Sequence, residues 1–164
     1  MRKLYTVAFI LVSSLVVCIL PTEGFCQQST PDLSGEWKLN AKTSKQGAIR
    51  GSELLEIEQS GNVVKMGHRH AAKDKKWLSS LVIDGKEHLL SYAMDDRTMA
   101  KAYWEGDTLV IENHRHDNNR SFLEDTYFKY RYALSADQKN LVVTVQGMRP
   151  PVSDLRAEFV YERR

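Results

Sequence analysis

Four histidines stand in two matched motifs, His68-Arg69-His70 and His114-Arg115-His116. In an extended strand, residues two apart face the same way at about 6.5–7 Å. Two imidazoles so placed can ligate one metal ion, as strand-borne zinc sites do. His68 and His70 continue the apolar face of Val64 and Met66, which aims them inward. His114 and His116 continue Val110 and Glu112, whereas Leu109 and Ile111 form the core face, so this pair is expected outward. One His-x-His pair offers two ligands, too few for tight metal binding. The expectation is therefore no metal and no cofactor, with His68, His70, His114 and His116 as the only weak metal candidates.

No other constellation carries catalysis. There is no Gly-x-Ser-x-Gly elbow for a serine nucleophile. Asp95-Asp96 lie in a loop and Glu124-Asp125 on alternate faces, which reads as solvated charge rather than an acid–base pair. No Gly-rich loop precedes a helix, so phosphate cradling has no support. The expectation leans against an enzyme. Lys73-Asp74-Lys75-Lys76 is short and carries its own acid, as a solvated loop does. Lys+Arg number 23 against Asp+Glu 21, a net charge of +2 over 164 residues. That near-balance does not supply the basic face that nucleic acid requires.

The elements that must position these residues are strands. Alternation over five to nine residues, closed by a turn signal, recurs near 35–40, 53–59, 62–70, 75–83, 87–94, 98–105, 108–116, 121–134, 140–147 and 155–163. Leu55 and Ile57 oppose Glu56 and Glu58. Phe128, Tyr130 and Tyr132 oppose Lys129 and Arg131. One apolar and one wet face is the antiparallel pattern. Ser60-Gly61, Asp84-Gly85-Lys86 and Glu105-Gly106-Asp107 read as tight hairpin turns, with glycine where positive φ is needed. Longer links at 41–52, 71–74, 95–97, 117–120 and 148–154 gather at the opposite end. Ten strands in sequence order favour closure into an up-and-down antiparallel barrel of 8–10 strands, an all-β fold; a two-sheet sandwich is the alternative.

The first residues have a different character. Arg2 and Lys3 precede an apolar run from Leu4 to Leu20, broken by Pro21 and Gly24, the layout of a secretory signal peptide. Residues 1–26 are assigned to that signal and 27–164 to the barrel domain. A membrane anchor is the alternative, the run being at the lower limit of spanning length. Lipidation at Cys26 is disfavoured by the bulky Phe25 before it. Cleavage removes both Cys18 and Cys26, so the barrel has no thiol chemistry and no disulfide. An exported, periplasmic or secreted protein follows, meeting the membrane only through its signal.

Gly35-x-Trp37 at the start of the first strand resembles the opening signature of lipocalins and the wider calycin group. In lipocalins an Arg near the end of the last strand packs across that Trp. Arg163, on the face of Phe159 and Tyr161, is the matching residue. The 41–52 link stands where lipocalins carry a long loop over the open mouth. A wider pattern is similar to exported bacterial lipocalin-like proteins of uncharacterised role. It comprises Gly-x-Trp-Lys-Leu-Asn with Ser44, Asp-Gly-Lys-Glu at 84–87, Trp104-Glu105-Gly106-Asp107-Thr108-Leu109, Leu134-Ser135-Ala136-Asp137-Gln138-Lys139-Asn140-Leu141 and Val160-Tyr161-Glu162-Arg163. Ten strands exceed the lipocalin eight and approach the fatty-acid-binding-protein count. The inward faces of such a barrel mix aliphatics with polar-tipped aromatics, so a small, mostly apolar ligand is expected in the lumen, lined by Leu55, Ile57, Met66, Tyr92, Tyr130, Tyr132 and Val143. Two other readings stay open: a filled barrel acting through its surface in the envelope, and a His-rich metal binder.

Overall fold

The computed structural model describes residues 30–69, 77–93, 96–117 and 125–164. These contain ten strands and no helix: β1 (Gly35–Leu39), β2 (Leu54–Ser60), β3 (Val63–Arg69), β4 (Trp77–Val82), β5 (Glu87–Ala93), β6 (Asp96–Glu105), β7 (Thr108–Asp117), β8 (Asp125–Leu134), β9 (Asn140–Gly147) and β10 (Arg156–Arg163). They form one antiparallel sheet in the order β4-β3-β2-β1-β10-β9-β8-β7-β6-β5. β1 pairs with both β2 and β10, so the first and last strands meet in mid-sheet. The sheet curls into the expected barrel, nearly closed, and not into the alternative two-sheet sandwich.

One turn departs from its expected role. Asp84-Gly85-Lys86 has the chemistry of a hairpin turn: Gly85 has φ 71°, and the Lys86 amide donates to Asp84 Oδ1 at 2.9 Å. Yet β4 and β5 are the two free ends of the sheet and do not pair as a hairpin. Ile83 instead forms an isolated parallel bridge to Ala102 in β6, and the Gly85 amide donates to the Ala102 carbonyl at 2.9 Å. This is the seam of the barrel. β6 also begins at Asp96, inside the segment read as a 95–97 loop.

The inner face is apolar, as the alternation requires. Trp37, Leu55, Ile57, Val64, Met66, Leu81, Ala100, Ala102, Leu109, Ile111, Tyr132, Val143, Val145, Ala157, Phe159 and Tyr161 form one buried cluster. Such continuity is what folds a barrel without disulfides, since each buried aliphatic side chain contributes about 1.5–3 kcal/mol. The short-turn end is plugged by the chain's entry segment. Leu33 and Trp37 are fully buried, and Trp37 Nε1 donates to the Leu33 carbonyl at 3.0 Å. Gln59 fastens that segment, its Oε1 accepting from the Leu33 amide and its Nε2 donating to the Pro31 carbonyl.

The Arg163 guanidinium lies 4.5 Å from the centre of the Trp37 ring, the two residues being register partners. Gly35 takes φ 144°, a conformation that side chains rarely adopt, beside the Arg163 guanidinium. Ser44 stitches the β1–β2 link to β10, its hydroxyl donating to the Asn40 carbonyl at 2.7 Å and accepting from the Val160 amide at 3.0 Å. Lys45 and Glu158 exchange two backbone hydrogen bonds beside it. The link is thereby held against the barrel wall over the lumen.

Candidate functional site

Beneath that link lies a cavity of about 180 Å³. Its wall comes from the inner faces of β2, β3, β8, β9 and β10: Leu55, His68, Tyr130, Tyr132, Val143, Val145, Phe159 and Tyr161. Its cap comes from the link, as Ile49, Arg50, Gly51 and Ser52. Register explains the convergence. Leu55 is opposite His68, Tyr132 opposite Val143, and Val143 opposite Phe159, so these residues share one level and one face. Gly51 lets the cap close, since a Cβ there would approach the Phe159 ring to 2.7 Å.

The polar groups are few and specific. Ser52 Oγ is 3.1 Å from His68 Nδ1. The Ser52 amide donates to the Tyr161 hydroxyl, but burial outweighs this and pushes the Tyr161 phenol up to about 12. Burial is also the main cause holding the Tyr132 phenol far above its ordinary range, with the neighbouring Tyr130 and Tyr161 phenols adding to it. Burial alone raises Tyr130. At neutral pH all three are therefore uncharged, and Tyr130 and Tyr132 are available as hydrogen-bond donors.

The residues expected to line a lumen separate as follows. Leu55, Tyr130, Tyr132 and Val143 line the cavity. Ile57 and Met66 are buried on the same inner face, opposite one another, but belong to the packed core and not to the cavity lining. Tyr92 sits in β5 opposite Arg97, and its side chain lies outside the described residues. Sequence reasoning did not single out Ile49, Arg50, Ser52, Val145, Phe159 or Tyr161 as a site. Phe159 and Tyr161 carried a signal in their alternation with Glu158 and Glu162. The cap residues carried none, because an aperiodic link does not announce which side chains turn inward.

The described histidines of the two motifs, His68 on one side and His114 and His116 on the other, do not share a site. His68 faces the cavity, whereas His114 and His116 are on the outer face of β7 with Glu112. Across the strand, Asp125 Oδ1 lies 2.6 Å from His116 Nδ1 and 3.5 Å from His114 Nε2. The hydrogen bond with His116 is the main cause holding the Asp125 carboxyl below its usual range. His70 lies outside the described residues. Among the described residues, no group of three or more His, Cys, Asp or Glu side chains is arranged to hold a metal.

A larger concavity, about 480 Å³, lies on the outer face of β8, β9 and β10, where Lys45, Lys129, Arg131, Arg156 and Glu158 surround it. Its cations are already engaged. Lys45 pairs with Glu158 at 3.4 Å, Arg131 with Glu105 at 2.6 Å, and Lys129 with Glu105 at 3.4 Å and Glu112 at 3.6 Å. Arg156 Nη1 donates to the Ser153 carbonyl at 2.6 Å. This face is an ion-paired, solvated surface, whereas the smaller lumen cavity combines apolar walls with buried donors.

No protein-family model matches the sequence, and no curated protein matches it. Solved structures do match the fold. A secretory abundant heat soluble protein from Ramazzottius varieornatus aligns with a TM-score of 0.59 at 12% identity, over 84% of this chain and 98% of that chain. Secretory abundant heat soluble protein 4 from the same organism aligns at 0.54 and 12%, over 84% and 99%. The wild-type fluorescent protein UnaG aligns at 0.52 and 18%, over 80% and 97%. The chain shares the fold of these structures, a ten-strand antiparallel barrel.

Proposed function

We propose that this protein is an exported binding barrel: residues 1–26 are its signal peptide, and the remaining chain takes up one small, mostly apolar molecule beneath the β1–β2 link. The observation that carries this reading is the lumen cavity, with apolar and aromatic walls and a few orienting polar groups, the usual make-up of a small-molecule site. An open lumen favours binding over a solid barrel acting through its surface.

Cavity size sets ligand size. At about 180 Å³ it is below the roughly 300–1,000 Å³ of sites for drug-sized molecules. An apolar cavity of about 150 Å³ accommodates benzene. The ligand class is therefore a single ring or a short acyl chain. A long, extended fatty acid does not fit the cavity in this state. Calorimetric titration with toluene tests the proposal. Saturation at one equivalent is expected, and it is abolished by Val143→Phe, which fills the cavity while near-UV circular dichroism confirms the fold. Heat of dilution alone for the wild-type protein would refute it.

A further inference from the structure

The outer face of β5–β8 is ordered in rows that run across the strands. Leu89 is opposite Met99, Met99 opposite His114, and His114 opposite Tyr127. Met148 extends the row, its amide donating to the Tyr127 carbonyl at 2.7 Å. Leu89 and Met148, 54% and 40% exposed, are the exposed large hydrophobic residues among those described. They stand at the two ends of this one row. Between them the His114 and Tyr127 rings lie 5.4 Å apart. An outward row of apolar and aromatic side chains is the make-up of an interface core, whereas the wet face of an antiparallel sheet is ordinarily polar.

The neighbouring row selects the occupant. Glu87 is opposite Lys101, Lys101 opposite Glu112, and Glu112 opposite Lys129, so charge alternates in sign across four strands. Lys129 reaches Glu112 at 3.6 Å. Lys101 pairs with no carboxylate among the described residues; its Nζ lies 5.0 Å from the centre of the Tyr103 ring. Such a row is complementary to itself. A two-fold axis along the strands, between β6 and β7, sets Lys101 of each copy against Glu112 of the other, and Glu87 against Lys129. The same operation sets Leu89 against Tyr127 and Met99 against His114. In the row beyond, it brings Arg97 beside the His116–Asp125 pair. A two-fold interface requires one patch that matches itself, and these rows do. We propose that the protein forms a two-fold homodimer through the outer face of β5–β8, with Met99 and His114 at its centre. Four strands about 4.8 Å apart and three rows about 6.8 Å apart offer roughly 400 Å² per copy, about half of a standard interface, so the dimer is weak and reversible. It leaves the lumen cavity of each copy untouched.

Sedimentation velocity of the purified protein, from micromolar to millimolar concentration, tests the proposal. A monomer–dimer equilibrium is expected, weakening as salt is raised because exposed charge pairs are screened. Lys101→Glu sets like charges against each other at two symmetric positions and should weaken the dimer by roughly tenfold or more. Glu112→Lys should do the same. Mixing these two variants restores opposite signs at both positions, so a dimer should return that neither variant forms alone. Leu89→Ser alters an exposed side chain; it should weaken the dimer with near-UV circular dichroism unchanged, and it decides the matter if Glu112→Lys does not fold. A protein that stays monomeric throughout the concentration series would overturn the inference. So would a dimer left intact by both Lys101→Glu and Leu89→Ser, or folded charge variants that remain monomeric when mixed.

Discussion

Single residues do three kinds of work in this barrel. Trp37 and Arg163 close it: one is fully buried and the other lies over its ring. Trp37→Ala removes the largest buried side chain of the plug and is expected to cost on the order of 3–5 kcal/mol, read as a shift of the denaturant midpoint. Arg163→Ala loses a cation–π contact of about 0.5–2 kcal/mol together with the packing of its stem, so its effect should be smaller than that of Trp37→Ala. Gly147 shows how little space some positions leave. A Cβ there would collide with the Val152 carbonyl, because the segment after β9 folds back onto it. Backbone, not a flexible side chain, stands in the way. Gly147→Ala should therefore destabilise by more than about 2 kcal/mol in the same assay, at the upper part of the overpacking range. Tyr161 gives a pH test. Its phenol is neutral in the folded state up to about 12, while the unfolded chain ionises near 10. The stability this difference contributes is complete below pH 10 and is lost as the pH rises towards 12. Denaturation midpoints measured from pH 9 to 12 should fall less steeply in Tyr161→Phe than in the wild-type protein.

At the scale of elements, the ten strands were legible because two-residue alternation is in most of them closed by a Gly, Asp or Asn stop. Gly61, Gly85 and Gly106 all adopt the positive φ that their turn sequences demand. The outward aim of His114 and His116 was legible too, from their offset against Leu109 and Ile111. The seam was not. Asp84-Gly85 is chemically a hairpin turn, and what prevents β4 from pairing with β5 is the long-range bridge from Ile83 to Ala102. Local turn preference carries no information about that competition. Several short motifs proved to be joints rather than sites. In Ser135–Asn140, the Ser135 hydroxyl donates to Asp137 Oδ1 at 2.6 Å and accepts from the Asn140 amide at 3.0 Å, while Gln138 takes φ 57°. The seam makes a prediction of its own. Strands at a free sheet edge open more readily than strands paired on both sides. Amide hydrogen exchange should therefore be faster in β4 and β5 than in β9, which is paired with β8 and β10 along its length. Equal protection would show that the seam is closed in solution.

For the whole molecule, the decisive quantity is the space left after the inner face has packed. A ten-strand barrel can enclose more volume than an eight-strand one. Here most of it is filled, with Met66, Ile57, Leu109 and Ile111 in the solid part and the cavity confined to the side beneath the β1–β2 link. Alternation identified which side chains point inward, but not where they stop touching. That depends on how the 41–52 link docks on β10, through Ser44 and Lys45, and on side-chain volumes summed around the barrel. The central claim is that this residual space binds a compact ligand. The most direct measurement is a set of ¹H–¹³C spectra of the protein labelled in its tyrosine rings, recorded through a titration with toluene. The account predicts that the rings of Tyr130, Tyr132 and Tyr161 shift and saturate together at one equivalent, while Tyr103 and Tyr127 on the outer face stay fixed. Shifts confined to Tyr103 and Tyr127, or none at any ring, would contradict it.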